Sequence, residues 1–404
     1  MPLHGFIEQL NRCDEGSNEW FAIAAGFAVW RAAEASLTTS PISDTLTELA
    51  DETIASVRDV ATQHALRAIM DAAHAPIDER AQRLAPLLMV YTEQLQHSAA
   101  WYAAAETAAL AAEAAKRAGD TELTIQAMIQ RGHSFRRLSA FTEARDAYES
   151  ARKIADASDL PRYGLDADFG DACISLDRGD LPLGTTQLDS LIIAATIEND
   201  DRRLGLALVA RGCAAGMAKD HEAVIQLGVD ALRVLPLDRN REVVLKNLAT
   251  AFRETREPIA ARRIAAFLRE YAIERERRWM AAILLMHLAV DEGDHDGFAQ
   301  LAHEIGAEPI SPRVAVDYIE ALIRGLAARG DFGRAIDACD RMLRMARTYT
   351  LGPALDRATK ARGDLLLGVV PSVYDFTPVH LGKPQQQRIH ALGEAVYALL
   401  GSED

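Results

Sequence analysis

The chain has 404 residues, of which 49% are hydrophobic, 25% are charged and only 6% are aromatic. These proportions are typical of a folded protein, and a formal net charge of −15 argues against general nucleic-acid binding because acidic surfaces repel phosphates. The four widely spaced cysteines include no CxxC pair, which argues against a disulfide framework or a zinc site.

No secretory signal pattern is visible at the start of the sequence. The longest apolar stretch, residues 281–290, is too short to cross a bilayer. We therefore expect a cytoplasmic protein that does not insert into membranes.

Residues 1–76 are predicted to form an N-terminal helical cap that differs from the rest of the chain. Residues 18–36 have the pattern of a helix with Asn18 as its candidate N-cap. Beyond Pro41, one long helical pattern runs from 43 to 73. The end units of a repeat array must cover its open core, which explains why such a segment would differ.

From residue 77 to 347 a small residue recurs every 37 to 40 positions, usually followed by apolar residues four and seven positions later. A fixed period in this range is the signature of a helical solenoid, in which a small residue lets the two helices of a hairpin cross closely. The recurring residues are Ala105, Ala144, Gly184, Ala223, Ala260, Gly297 and Ala335.

The spacing predicts seven helical hairpins, each with a first and a second helix. Four Gly-Asp pairs support these boundaries, because glycine ends helices and aspartate caps the helix that follows. The expected first helices are 78–96, 122–137, 163–178, 202–217, 240–255, 276–291 and 312–328. The expected second helices are 100–117, 141–156, 182–197, 221–234, 258–272, 296–306 and 332–347.

Residues 348–404 are predicted to be an irregular segment followed by a capping helix. Residues 352–368 could add an eighth first helix. The proline-containing segment 370–378 is expected to be irregular, and whether it occupies the chain's own groove is left open. Residues 385–400 have the pattern of an amphipathic helix, which we expect to cap the trailing end.

The units resemble tetratricopeptide repeats (TPRs). The resemblance lies in Gly132 and Phe135 of one first helix and in Ala144, Tyr148 and Ala151 of its second helix. A second copy combines Gly330-Asp331-Phe332 with Ala335. The period is similar to that of the long-helix arrays in bacterial signalling regulators and peptide sensors. The resemblance implies an all-α, right-handed superhelical solenoid of about seven TPR-like hairpins with N- and C-terminal capping helices.

In such proteins a peptide or another protein binds in the concave groove lined by the first helices. The resemblance therefore implies a set of groove candidates, in which Arg136, Arg137, Lys246 and Arg253 would suit an acidic segment. A solvated polar face is the alternative interpretation of these positions. The candidates are Gln126, Gln130, His133, Arg136, Arg137, Lys246, Phe252, Arg253, Asp317, Glu320 and Arg324.

No phosphate-binding loop, nucleophile elbow or HExxH motif occurs in the sequence. Titratable residues are densest at 291–296, where carboxylates and an imidazole could suggest a metal, but a hairpin turn is expected there and turns are rich in aspartate. We therefore expect no cofactor, metal or catalytic residue.

The leading hypothesis is a non-catalytic protein- or peptide-binding scaffold or adaptor. The first alternative is a peptide- or ligand-responsive regulator that controls a partner protein, and the remote alternative is an enzyme on an α/α scaffold. The sequence leaves the partner and the oligomeric state open.

Overall fold

A computed structural model describes residues 4–38, 42–236, 239–273, 275–307, 310, 312–348, 352–371 and 382–401. Within these ranges the chain forms helices joined by short connections, and no strand occurs. The helices before the repeats are α1 (Gly5–Leu10), α2 (Asn18–Leu37), α3 (Asp44–Ala55) and α4 (Val60–Ala73).

Seven antiparallel helix pairs follow, and each predicted helix is confirmed to within two residues at both ends. The first helices are α5 (Ile77–His97), α7 (Thr121–Arg137), α9 (Pro161–Asp177), α11 (Asp201–Met217), α13 (Arg239–Glu254), α15 (Arg275–Glu292) and α17 (Pro312–Ala328). The second helices are α6 (Trp101–Ala118), α8 (Phe141–Ala157), α10 (Leu181–Ile197), α12 (His221–Val234), α14 (Pro258–Tyr271), α16 (His295–Gly306) and α18 (Phe332–Thr348). Two further helices are α19 (Gly352–Leu366) and α20 (Lys383–Gly401).

The turn inside each hairpin passes through one residue with positive φ, which ends the first helix in the left-handed conformation. Glycine adopts this conformation without steric cost, and three turns use it. The other four place a residue with a side chain there, at φ values from 59° to 63°. The seven residues are Ala99, Ser139, Gly179, Lys219, Arg256, Gly293 and Gly330.

Aspartates immediately after several of these turns cap the next helix. Asp180, Asp220, Asp294 and Asp331 each accept a hydrogen bond from the backbone N–H three residues later. Asp120 does the same at the start of α7. All four Gly-Asp pairs singled out in the sequence therefore act as a helix stop followed by a helix start.

Internal contacts group the chain into two compact units, Met1–Ala194 and Ala195–Asp404. In the first unit α5 packs on α7 and α7 packs on α9, and each of these pairs also packs on the second helix between its members. In the second unit α11, α13, α15 and α17 do the same, and α19 continues this layer. The TPR-like all-α solenoid is thereby confirmed, while the handedness of a superhelix stays a prediction.

The helices before the repeats pack on the first hairpin. Helix α1 contacts α2 and α6, and α2 contacts α4, α5 and α6. The indole N–H of Trp30 donates to the carbonyl oxygen of Glu106 at 3.2 Å, which fixes α2 on α6. The boundaries proposed at 76 and 347 for the three-part division stay predictions.

Two expectations about the N-terminal segment were wrong. The single helix expected over 43–73 is two helices, because Asp59 caps a new helix by accepting from the N–H of Thr62 at 2.7 Å. The apolar pattern runs on across the break since both helices bury residues in one core. The N-cap of α2 is Ser17 rather than Asn18.

The C-terminal helices were placed correctly in sequence, but one of them packs elsewhere than expected. Helix α19 packs on α18 and α17, at the trailing end. Helix α20 instead packs on α12 and α14. An amphipathic pattern predicts that a helix buries one face, but it does not identify the surface that covers it. Most of the segment 370–378 lies outside the described residues.

Close helix approach is built on small residues. Ala144 and Ala335 are fully buried, and a Cβ on Gly184 would lie 2.5 Å from a methyl carbon of Leu176 on the preceding helix. The Tyr148 ring occupies a notch between α7 and α9, where Cβ atoms on Gly132 and Gly170 would lie within 2.6 Å and 2.3 Å of it. A larger residue at these positions would push the helices apart.

We predict that Gly170→Ala lowers the free energy of unfolding by about 1–3 kcal/mol, because the new Cβ would overlap the buried ring of Tyr148 and force the ring or a helix to shift. The matched control is Gly212→Ala, in the middle of α11, where the nearest atom to the new Cβ is 3.9 Å away. The control should be neutral or stabilising by up to about 1 kcal/mol. Chemical denaturation measures both, and equal effects would contradict the tight notch.

Candidate functional site

The exposed side of the first-helix layer carries polar side chains that bond from one first helix to the next. We call this side the first-helix face. Its hydrogen bonds join residues 33 to 41 positions apart, which is about one repeat. Most of the groove candidates lie in this region, so the structure shows which neighbouring side chains they contact.

In the first unit, Arg136 of α7 pairs with Asp177 of α9 at 2.5 Å. His133 lies against the Trp101 ring with 5.8 Å between centroids, and the Arg137 guanidinium lies 5.2 Å from the centroid of the same ring. Burial lowers the pKa of His133 to about 4, and the charges of Arg136 and Arg137 add to the effect. His133 is therefore neutral near pH 7, while Arg137 is exposed.

Two glutamines of α7 also contact neighbouring first helices. Gln126 donates through Nε2 to the hydroxyl of Tyr163 at 2.9 Å, and that hydroxyl donates to Glu122 at 2.8 Å. The carbonyl oxygen of Gln130 accepts a hydrogen bond from Gln96 of α5. The α7 candidates are thus brought together along one helix, and most of them serve as connections to α5, α6 and α9.

In the second unit two arginines converge on one carboxylate. Arg253 of α13 donates through Nε to Asp291 of α15 at 2.7 Å, and its Nη1 lies 3.3 Å from Glu254. Arg324 of α17 donates to Asp291 and to the carbonyl oxygen of His287. We call Arg253, Asp291 and Arg324 the arginine–aspartate cluster. It joins three consecutive first helices.

The cluster lies beside a buried neutral histidine. The side chains of Arg253 and Arg324 are only 8% and 17% exposed, whereas that of Asp291 is 33% exposed. Burial, with the nearby charges of Arg253 and Arg324, holds the pKa of His287 well below its usual value. Burial acts to raise the pKa of Asp291, but the bonds and charges of the two arginines prevail and lower it.

The neighbouring candidates in α13 do not share one face. Lys246 is half-buried, but Phe252 is fully buried and lies on the side of α13 that faces α14 and α20. The expectation that Phe252 lines the groove together with Arg253 was wrong. Consecutive residues of a helix point about 100° apart, so Phe252 can enter the core while Arg253 reaches Asp291 on the first-helix face.

Asp317 and Glu320 of α17 are brought together by Arg357 of α19. Arg357 lies 3.0 Å from Glu320 and 3.4 Å from Asp317. Burial raises the pKa of Glu320 to about 7; the positive charge of Arg357 opposes this and the negative charge of Asp317 adds to it. This arrangement extends the chain of first-helix contacts to the trailing end of the repeats.

The acidic run at 291–296 does not converge on a point. Asp291 belongs to the arginine–aspartate cluster, Glu292 pairs with Arg262 of α14, and Asp294 caps α16. Across the described ranges no group of three or more His, Cys, Asp or Glu side chains has the geometry to hold a metal ion.

Sequence reasoning missed the partners of the candidates, namely Asp177, Tyr163, Asp291 and Arg357. The usable signal was residues of complementary chemistry about one repeat apart on successive first helices. Arg253 and Asp291 are 38 residues apart, as are Gln96 and Ser134.

A cleft of about 230 Å³ lies between α8 and α9. It is lined by Tyr148, Ala167 and charged residues, and two of its arginines are paired across it, Arg145 with Asp171 and Arg152 with Asp168. These ion pairs link the two walls of the cleft, so they help to hold the neighbouring repeats together.

No protein-family model matches this chain, and no curated protein matches it by sequence. Among solved structures, the crystal structure of NprR in complex with its cognate peptide NprX is 13% identical over 84% of this chain and 90% of that chain, with a TM-score of 0.45. The apo form of RapI is 9% identical over 90% of this chain and 99% of that chain, with a TM-score of 0.48. A circular tandem repeat protein is 14% identical over 97% of this chain and 89% of that chain, with a TM-score of 0.20. These likenesses are too weak to transfer a ligand to this chain.

Of the helices that the described residues form, none combines the length and apolar character that crossing a membrane requires.

We predict that Asp291→Ala lowers the free energy of unfolding by about 1–3 kcal/mol, since it leaves two largely buried guanidinium groups without their shared carboxylate. The control is Glu292→Ala, whose exposed pair with Arg262 should contribute less than about 1 kcal/mol. Denaturant titration of both variants provides the measurement. Equal losses would show that the cluster does not join the helices.

We predict that Glu320→Gln flattens part of the pH dependence of stability. The Glu320 carboxyl has a pKa of about 7 in the folded chain and a usual value of 4.5. Between these values the unfolded state releases a proton that the folded state keeps, so stability falls as pH rises from 4.5 to 7. The variant's stability relative to wild type should therefore increase by about 1–3 kcal/mol from pH 5 to pH 8.

Urea titrations of wild type and variant at both pH values test this prediction. The low pKa values of His133 and His287 act in the opposite direction, because their stabilising effect is lost as pH falls below about 6.5. They are present in both proteins and cancel in the difference. A difference between the two proteins that does not change with pH would refute the assignment.

Proposed function

We propose that this chain is a non-catalytic helical repeat protein that binds an acidic peptide or protein segment on the first-helix face of its second unit. The observation that carries the proposal is the convergence of Arg253 and Arg324 on one half-exposed carboxylate. Both guanidinium groups are already oriented and largely withdrawn from water, so a partner carboxylate would meet donors fixed in place before binding.

The arginine–aspartate cluster has donors to offer a partner. Each guanidinium group carries five N–H donors. Among the described residues, Asp291 and the neighbouring acceptors take one hydrogen bond from each of three nitrogens of Arg253 and two nitrogens of Arg324. Each group therefore has more N–H donors than these bonds use. A carboxylate from a partner could share these arginines with Asp291 or replace it. This chemistry favours aspartate, glutamate or a chain terminus on the partner.

A regulatory role is the second reading, and the same cluster favours it. Asp291 holds α13 and α17 to α15 through its two arginines. A bound carboxylate that displaced Asp291 would therefore change the coupling of three first helices, which is a way for a ligand to alter the protein's conformation. Such a protein would control its partner through binding rather than catalysis. A cytoplasmic location remains part of this proposal.

The proposal is tested by binding of short synthetic peptides graded from basic to acidic composition. The wild-type chain should retain acidic peptides, and Arg253→Gln/Arg324→Gln should weaken their binding about 10-fold or more, because it removes two charged donors. Fluorescence anisotropy at low and high salt measures the affinities.

The matched control is Arg262→Gln/Arg269→Gln, which removes two positive charges from α14 at exposed pairs with Glu292 and Glu304. This control should bind acidic peptides like the wild type. Equal weakening in both double variants would show a general effect of net charge and would contradict the proposed face. Absence of any acidic-peptide binding would contradict it as well.

A further inference from the structure

Helix α20 packs against repeats of its own chain that lie far from it in sequence. It packs on α12 and α14, the second helices of two consecutive hairpins, although contacting residues such as Gln385 and Glu222 lie 163 positions apart in sequence. Helices α12 and α14 both pack on α13, so they flank a groove on the side opposite the first-helix face. We call it the α20 groove. All of these helices belong to the second unit.

An apolar stripe on α20 fills the α20 groove. Ile389, Gly393, Val396 and Leu400 lie on one side of the helix, and Ile389 and Val396 are fully buried. Gly393 lets the helices approach closely, because a Cβ added there would lie 3.1 Å from the Cβ of Ala260. The stripe therefore has a small residue at its centre and larger apolar residues on both sides.

Charges along the rim fix the direction in which α20 lies. Near its N-terminal half the groove presents carboxylates, with Arg388 3.3 Å from Glu222 and His390 3.5 Å from Glu257. Near its C-terminal half the groove presents Arg263, which contacts Glu394 and lies over the Tyr397 ring. A helix with the reverse charge order would bring like charges together.

A buried arginine receives the C-terminal end of α20. Arg241 is 8% exposed and donates to the carbonyl oxygens of Leu232 and Leu235, where α12 ends. It also donates to the carbonyl oxygen of Leu399 at 3.4 Å. One guanidinium group thus serves the negative ends of two helices, which favours a helix C-terminus at this place.

The contacts that hold α20 are modest in strength. The rim pairs are exposed, and pairs of this kind contribute little to stability. Among the described residues of α20, only three larger apolar side chains are buried, namely Ile389, Val396 and Leu400. Because α20 is covalently tethered to the repeats, its effective concentration at the groove is high even if its binding is weak. A helix held in this way can be displaced by a competitor of the same pattern.

We propose that the α20 groove is a docking site for an amphipathic helix, that α20 is its resident occupant, and that a partner helix with the same features competes with it. The partner's helix would carry basic residues in its first half, a glycine or alanine at the centre of its apolar stripe, and an acidic residue in its second half. The site is separate from the first-helix face, so it gives the protein a second, autoinhibited binding surface.

The test uses the full chain and a labelled synthetic peptide of residues 383–401 as the probe. Gly393→Leu places a bulky side chain against Ala260 and should release α20 in cis. The peptide should then bind this variant at least about 10-fold more tightly than it binds wild type, in which the tethered helix occupies the groove. Ala391→Leu, at an exposed position of the same helix, is the control and should behave like wild type.

Hydrogen exchange of residues 383–401 shows whether α20 has been released, and circular dichroism shows that the rest of the chain stays folded. A second pair of variants guards against a failure of the first. Val396→Asp buries a charge in the groove, and Ala398→Asp places the same charge at an exposed position. Release of α20 without peptide binding would overturn the proposal, and so would α20 that stays protected in both groove variants.

The molecular mass in solution, measured for wild type and Gly393→Leu, shows whether α20 binds its own chain or a second copy. The proposal expects α20 to occupy the groove of its own chain, so Gly393→Leu should not change the oligomeric state. A wild-type dimer that Gly393→Leu converts to a monomer would show that α20 binds a second copy, and would overturn the resident role.

Discussion

Within each unit, direct packing of each first helix on the next one is the constraint on which the rest of the structure depends. A hairpin cannot bury its apolar face alone, so it must stack on its neighbours. In each unit the first helices form a continuous layer, and small residues allow the approach. The notch that Gly132 and Gly170 provide for Tyr148 shows how little space is left. Polar side chains at the edge of this layer are then brought within bonding distance one repeat apart.

Because of this constraint, polar residues of the first helices also have a structural role. Arg136, Arg253 and Arg324 bond to carboxylates of the next or preceding first helix, so they join the helices of the array. In the proposed function, partner binding and coupling of the helices use the same groups, namely Arg253 and Arg324. A partner carboxylate would then have to share or displace an internal one, which would limit affinity but link occupancy to the arrangement of the helices.

Local patterns were sufficient to predict the helices of the repeats, because their signals lie within a few residues. Gly330 and Asp331, for example, end one helix and cap the next. Long-range outcomes were not predictable from such signals. Phe252 has the same apolar character whether it lines a groove or a core. The sequence pattern of α20 shows which of its faces is buried, but it does not show which helices cover that face. The pairing of Arg253 with Asp291 depends on the register between two hairpins.

The central claim is that charged side chains couple successive first helices, and a double-mutant cycle between Arg253 and Asp291 tests it most directly. The free energies of unfolding of wild type, Arg253→Ala, Asp291→Ala and the double variant give the coupling energy of the pair. We predict a coupling energy of about 1 kcal/mol or more, because Arg253 is largely buried and bonds through two nitrogens. Additive effects, within about 0.3 kcal/mol, would contradict the account.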